Sequence, residues 1–151
     1  MSEDRVEGVD RQICQLLAGD GRMSYTELGR ATGLSTSAVH QRVKRLERRG
    51  VIRGYGAAID FAKVGLALTA FVFIRPIDPS QPDDSPDRLA AIDEIEACHS
   101  VAGEDTYVLK VRVTQTTDLE SLLARIRALA NVSTRTTIVL STPYEQRTPQ
   151  F

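Results

Sequence analysis

Residues 24–50 read SYTELGRATGLSTSAVHQRVKRLERRG, and this stretch decides the fold of the N-terminal part of the chain. Ser24 and Glu27 have the spacing of a capping box, in which each side chain satisfies a backbone amide of the other at a helix start. Leu28 and Ala31 supply the apolar contacts of that helix. Gly33-Leu34-Ser35 follows as a tight turn. Gly33 can take the left-handed conformation that closes one helix, and Ser35 can cap the next. The next helix turns Val39, Val43 and Leu46 inward at i, i+4 and i+7 and stops at Gly50. Upstream, Val9, Ile13, Leu16 and Leu17 lie on one face of an earlier helix that Gly19 and Gly21 end. Three short helices with a glycine-containing turn between the second and third make a helix-turn-helix.

With its inward residues removed, the third helix presents Thr36, Ser37, His40, Gln41, Lys44 and Arg45. These hydrogen-bonding side chains have the reach to meet base edges and phosphates in a major groove. Ser35 and the free amides behind it can clamp a phosphate at the helix N-terminus. The net charge of −1 conceals an asymmetry: residues 1–60 hold ten Lys or Arg against eight Asp or Glu, and the remainder nine against twelve. Within residues 37–54, Arg42, Lys44, Arg45, Arg48, Arg49 and Arg53 face Glu47 alone, a local charge of +5. A solvated helix face explains a charge run by itself, but it does not require the adjoining turn as well. The combination favours double-stranded DNA as partner, with Ser35, Thr36, Ser37, His40, Gln41, Arg42, Lys44, Arg45 and Arg49 as the contact set.

Val51 to Ile59 alternates weakly and contains Gly54 and Gly56, which predicts a short hairpin or strand leaving the helices as a wing or linker. Residues 60–66, DFAKVGL, read as the boundary, giving a DNA-binding domain over 1–60 and a second domain over 61–151. The pattern then becomes mixed. An apolar strand from Ala67 to Ile74 precedes Pro76, Pro79, Pro82 and Pro86, which exclude regular structure until Ser85-Pro86 can open a helix with Leu89 and Ile92 inward. Cys98 to Ala102 reads as a strand, and Tyr107 to Val113 alternates strictly. Thr117-Asp-Leu-Glu120 has capping-box spacing at the head of a helix whose stripe is Leu119, Leu122, Leu123, Ile126 and Leu129. A strand from Arg135 to Leu140 and a polar tail complete the chain. The order is that of a ferredoxin-like βαββαβ domain, so the fold class is α+β, with a winged-helix-like helix-turn-helix in front. The first strand is apolar on both faces, Leu68, Ala70, Val72 and Ile74 against Ala67, Phe71 and Phe73. One pair of helices cannot cover both, so an isologous homodimer is expected, with two recognition helices facing a pseudo-palindromic operator.

No apolar run approaches the ~20 residues of a membrane span, and the acidic, polar start is unlike a secretory signal, so the expected location is cytoplasmic and away from the membrane. Cys14 and Cys98 lack CxxC spacing and read as buried thiols in a reducing compartment.

Three stretches carry a resemblance to a known family: VDRQICQLLAGDGR (9–22), TELGRATGLSTSAVHQRVKRLERRGVIRGYGAAID (26–60) and AGEDTYVLKVRV (102–113). They resemble the Lrp/AsnC group of feast/famine transcription factors. The segment PIDPSQPDDSPD (76–87) is longer than the loop typical of that family and resembles actinobacterial members. The resemblance implies that the third helix enters DNA and that the αβ domain assembles dimers and larger rings such as octamers. It also implies that this domain binds a small-molecule effector, an amino acid, with no cofactor. By itself, Gly103 with Glu104, Asp105 and Thr106 reads as a plain hairpin loop. The family places its effector pocket at this loop, between dimers, and the loop here comprises Ala102, Gly103, Glu104, Asp105, Thr106 and Tyr107. Hydroxyls of the last strand stand nearby, Thr134 and Thr136 with Ser133 as a lesser candidate. Loop amides can hold a ligand carboxylate, and Glu104 or Asp105 an α-ammonium.

Catalysis finds little support. His40 and His99 lie in different domains, and neither nucleophile motif, phosphate loop nor metal-ligand cluster is present. The chain reads as a non-enzyme. The alternatives are a ferredoxin-like ligand-binding module that regulates proteins, which would not need the basic third helix, and a haem-pathway decarboxylase subunit with His99 as its actor.

Overall fold

The computed structural model describes residues 5–151. They divide into two compact units, one helical, ending at Ala58 and taking in Tyr144–Phe151, the other spanning Ile59–Pro143. No helix among the described residues is long and apolar enough to cross a membrane.

The helical unit is built from α1 (Gly8–Gly19), α2 (Tyr25–Thr32) and α3 (Thr36–Arg48). Its turns follow the local chemistry of the sequence. Glu27 N donates to Ser24 Oγ at 3.2 Å while Ser24 N donates to the Glu27 carboxylate at 2.7 Å, the reciprocal pair of a capping box. Gly33 closes α2 at φ 71°, and Ser35 Oγ accepts from Ala38 N at 3.2 Å to open α3. Gly50, at φ 69°, lets the amides of Val51 and Ile52 return to the Leu46 carbonyl. The core is Ile13, Leu28, Val39, Val43 and Leu46, all fully buried. The polar tail packs on α1: Thr148 Oγ1 donates to the Ala18 carbonyl at 2.9 Å, one of the carbonyls a helix end leaves unpaired. Gln15 brackets the last residues, donating to the Pro149 carbonyl and accepting from Phe151 N.

The second unit contains β1 (Leu68–Pro76), α4 (Ser85–Leu89), β2 (Ile95–Ser100), β3 (Tyr107–Val113), α5 (Thr116–Ala130) and β4 (Val132–Ile138). The four strands form one antiparallel sheet in the order β2-β3-β1-β4. Ala70, Val72 and Ile74 of β1, Leu109, Val111 and Val113 of β3, and Val132 of β4 are buried against Leu119, Leu122, Ile126 and Ala130 of α5, with Leu89 and Ile92. Asn131 turns the chain from α5 into β4 in the left-handed conformation, φ 52°. The opposite face of the sheet carries Phe71, Phe73 and Val108 among Lys110, Arg112 and Arg135, and Phe71 is 37% exposed.

Several local expectations are corrected. Residues 51–59 form neither strand nor hairpin and pair with no strand among the described residues. The second strand begins at Ile95 rather than Cys98, and residues 101–106 are loop. The start is set by pairing of Ile95 with Val111, and a bulge between Ile95 and Ala97 shifts the register. Thr117 and Glu120 form no capping box, since α5 starts two residues earlier, at Thr116, with Gln115 at its N-cap and no side-chain cap. Leu129 is 50% exposed and Ala130 takes its place in the core. The last strand is Val132–Ile138, and Leu140 is 96% exposed. Cys98 is exposed on the edge strand β2, while Cys14 is half-buried. Burial raises both thiol pKa values, and Asp83 adds to the effect at Cys98, so both stay protonated.

One residue of the turn that pattern reading passed over is Gly29. It is buried within α2, and a Cβ added there would lie 2.6 Å from the Leu34 carbonyl oxygen. Replacing glycine by alanine inside a helix ordinarily stabilises by about 1 kcal/mol. Here the obstructing atom is backbone, so the sign reverses. Gly29→Ala is expected to destabilise by about 1–3 kcal/mol, measured as a lower urea midpoint at unchanged slope.

Candidate nucleic-acid interface and effector loop

Burial of Val39, Val43 and Leu46 fixes which side of α3 meets solvent. Thr36, Ser37, His40, Gln41, Lys44, Arg45, Arg48 and Arg49 are exposed and Arg42 is half-buried. Ser35 spends its hydroxyl on the Ala38 amide and stands 3.3 Å from Ser37 Oγ. The amides of Thr36 and Ser37 have no acceptor among the described residues and project from the helix N-terminus, where an anion is favoured.

Behind this face Arg42 and Arg45 are held by a partner that the sequence reading did not identify. Asp10 of α1, 7% exposed, accepts from Arg42 Nη1 at 2.8 Å and from Arg45 Nη2 at 2.5 Å. Burial alone would raise the Asp10 carboxyl; the hydrogen bonds and charges of Arg42 and Arg45 outweigh it and hold the group below the usual carboxylate range. The side chains of both arginines stay partly exposed, 37% and 51%. They therefore reach solvent from an anchored base. Lys44 Nζ donates to Glu47 at 2.9 Å, and the ring of His40 lies 5.1 Å from that of Tyr25 on α2. Gln41 and Arg48 make no hydrogen bond or ion pair among the described residues. The one sequence hint of the Asp10 contact is an acid on the apolar face of the first helix, beside Val9 and Ile13.

The candidate effector residues occupy two faces of the sheet. In the loop between β2 and β3, Val101 N donates to the Thr106 carbonyl and Thr106 N to the Ile74 carbonyl, both at 3.0 Å. Asp105 accepts from Arg135 Nη2 at 2.5 Å, and the Arg135 guanidinium lies 4.1 Å from the centre of the Phe73 ring. The loop is thereby tied across β1 to β4. Ala102, Gly103 and Glu104 are exposed; Gly103 has a positive φ, 159°, which L side chains rarely adopt, although a Cβ there would meet nothing within 4 Å. Tyr107 Oη donates to Asp83 in the proline-rich segment at 2.8 Å. Thr134 and Thr136 pair with the buried Ile74 and Val72 and so share the helix side of the sheet, where Thr134 Oγ1 accepts from Arg127 of α5 at 3.0 Å. Within one chain they are on the opposite side of β4 from Arg135 and the tied loop. Ser133 donates to the Arg75 carbonyl. His99 is exposed on β2, paired with Val108, and no cluster of three metal-ligating side chains occurs among the described residues.

The Asp10 cluster has a measurable signature. Its folded pKa is depressed, so its contribution to stability is complete above the unfolded value, about 3.9, and is lost as pH falls through the lower folded value. Asp10→Ala is expected to cost about 1–3 kcal/mol near neutral pH, the buried-pair scale discounted for the exposed arginines. The difference between variant and wild type, followed by urea unfolding, should shrink below about pH 4.

Comparison with known proteins joins these two surfaces in one family. The model of the AsnC-type helix-turn-helix domain matches residues 8–47, and that of the Lrp/AsnC ligand binding domain matches residues 69–149. The chain is 54% identical over 144 residues to the HTH-type transcriptional regulator LrpA of Mycobacterium tuberculosis, covering 95% of this chain and 96% of that protein. It is 36% identical to the leucine-responsive regulatory protein of Salmonella typhimurium, covering 89% and 85%. The crystal structure of the leucine response regulatory protein LrpA of M. tuberculosis superposes with a TM-score of 0.90 at 53% identity, covering 95% and 99%. That of the feast or famine regulatory protein of M. tuberculosis complexed with L-methionine gives 0.91 at 55%, covering 93% and 96%. These relatives are transcription regulators rather than enzymes. With both of its units matched, the chain belongs to the Lrp/AsnC family of helix-turn-helix transcriptional regulators.

Proposed function

We propose that this regulator reads a pseudo-palindromic operator through α3 in the cytoplasm, and that its αβ unit assembles the oligomer and binds an amino acid. The observation that carries the DNA reading is the exposed face of α3, where uncommitted Gln41 and Arg48 lie among cations anchored from behind. Gln41 projects from the middle of the helix and can pair bidentately with adenine. Arg42, Arg45, Arg48 and Arg49 supply phosphate contacts, Lys44 from mid-helix meets a base edge or phosphate, and the Thr36 and Ser37 amides receive a phosphate at the helix start.

Phe71, Phe73 and Val108 on the face of the sheet away from α4 and α5 support pairing with a second copy, which would cover them and set two recognition helices about one DNA turn apart. Assembly of dimers into an octamer would bring further chains to the loop 102–107. That accounts for an effector site whose Thr134 and Thr136 face away from the loop within one chain. The L-methionine in the related protein supports an amino acid as the effector class. Its carboxylate suits the loop amides, and Glu104, with no partner among the described residues, suits its ammonium. Effector binding then acts by favouring the assembly whose spacing fits one operator.

Footprinting on the gene's own upstream DNA, followed by gel shifts between 50 and 200 mM salt, a span taken roughly from general protein–DNA behaviour, tests the DNA reading. Log affinity should fall linearly with log salt, and Arg48→Ala should flatten the slope by about one contact. Gln41→Ala should relax base preference by about 1–3 kcal/mol, whereas an unchanged selection profile would place a different face in the groove.

The sensing reading is tested separately, by calorimetric titration with L-methionine. Binding to the unaltered protein is expected. Gly103→Thr should weaken it by about tenfold or more, the scale of one misfitting group, while operator affinity without amino acid is retained. Equal affinity in both proteins would remove the loop from the site.

A further inference from the structure

Lys44 and the irregular segment after α3 meet at one carboxylate. Glu47 Oε2 accepts from Lys44 Nζ at 2.9 Å, and Glu47 Oε1 accepts from Tyr55 Oη at 3.0 Å. Lys44 and Glu47 are neighbours on the helix surface, three residues apart, but Tyr55 belongs to residues 53–58, which have no regular structure and lead out of the helical unit. The ring of Tyr55 rests on the α1–α2 turn. A Cβ added at Gly21 would stand 3.8 Å from the ring's Cδ1. The Glu47 carboxylate is held below its ordinary pKa first by Lys44 and then by Tyr55. Burial, followed by the Glu47 bond, pushes the Tyr55 phenol up to about 12, so donor and acceptor keep their roles at neutral pH.

We infer that Tyr55 is a positioning residue for DNA recognition: it orients Glu47, Glu47 holds the Lys44 ammonium at one place on the α3 face, and the interdomain segment thereby sets how Lys44 meets DNA. A lysine is a point charge on a flexible four-carbon stem, and an unrestrained one contacts whatever phosphate or base edge is in reach. Ordering the stem before DNA arrives removes that entropy loss from the binding step and confines the ammonium to one contact. The tie is also a natural point of control. Gly54 and Gly56 flank Tyr55, so a change in the path of this segment withdraws the hydroxyl and releases the carboxylate without disturbing the buried face of α3. This inference rests on the reading of α3 as the DNA-contacting helix, and its test separates the two.

The experiment is a double-mutant cycle in the full-length protein with Tyr55→Phe, Lys44→Ala and the pair. Affinities are measured for the footprinted operator duplex and for a scrambled duplex of equal length. Tyr55→Phe keeps the ring and every charge. It is expected to lower operator affinity by about threefold or more, the scale of coupling inside one hydrogen-bond network. Affinity for the scrambled duplex, governed by net charge, should be unchanged. In the Lys44→Ala background the same substitution should have no further effect. Additive losses overturn the relay, because Tyr55 then acts independently of Lys44. Equal loss on both duplexes also overturns it, since that is what loosening of the unit would produce. If Lys44→Ala lowers operator affinity but Tyr55→Phe does not, the relay fails and α3 remains the reading helix. If the unaltered protein fails to distinguish operator from scrambled DNA, both readings fall.

Discussion

Everything the helical unit can present to DNA depends on the rotation of α3 about its own axis, and three side chains set that rotation. Val39, Val43 and Leu46 are fully buried against Ile13 and Leu28. At about 1.5–3 kcal/mol for each buried side chain, the stripe contributes about 5–9 kcal/mol toward one orientation. Exposed ion pairs contribute about 1 kcal/mol or less each, so none of the surface contacts of α3 can turn it against its core. The exposed polar set is the geometric complement of the buried one. The tight α2–α3 turn enforces the same outcome from the other end, with Gly29 admitting the Leu34 carbonyl.

Rotation places side chains on the right face, but long cations need further restraint. Asp10 supplies it for Arg42 and Arg45, and Glu47 for Lys44. In both cases an acid behind the interface reduces the local positive charge and in return orders the guanidinium or ammonium groups. The two acids differ in strength of hold. Asp10 is nearly buried and comes from another helix, so it also staples α1 to α3; Glu47 is more accessible and shares its carboxylate with the departing chain. The first is a structural constraint, and the second is adjustable.

In the αβ unit the corresponding organising contact is Arg135, stacked on Phe73 and bonded to Asp105. Antiparallel register brings Phe73 and Arg135 opposite each other on the face away from α5, and from there the guanidinium reaches the β2–β3 loop. The loop is therefore referenced to the face that carries Phe71 and Phe73. Under the proposed assembly, that shared surface is the physical condition for a ligand at the loop to alter the oligomer.

Much of this was legible from residue order, for a definite reason. Capping boxes, left-handed glycines and helical stripes are relations among residues within a few positions of one another. Ser24 with Glu27, Gly33, Ser35 and the Val39-Val43-Leu46 stripe therefore determined the helix-turn-helix and its outward face from the sequence alone. The strict alternation of Tyr107–Val113 likewise determined a strand and its buried side. What lay beyond the sequence was set by partners distant along the chain. The limits of β2 and β4 depend on where β3 and β1 offer hydrogen-bonding groups, and Val51–Ile59, paired with no strand among the described residues, formed none despite its weak alternation. Thr134 and Thr136 were expected near the 102–107 loop between dimers; within one chain the β1–β4 register turns them toward α5. Asp10 meets its arginines across 32 and 35 residues, and Tyr55 reaches Glu47 across an irregular turn. Local propensity selected the elements and their exposed faces; only tertiary packing decided which charges on those faces are anchored and which remain uncommitted, because an ion pair depends on distance in space and not on separation along the chain.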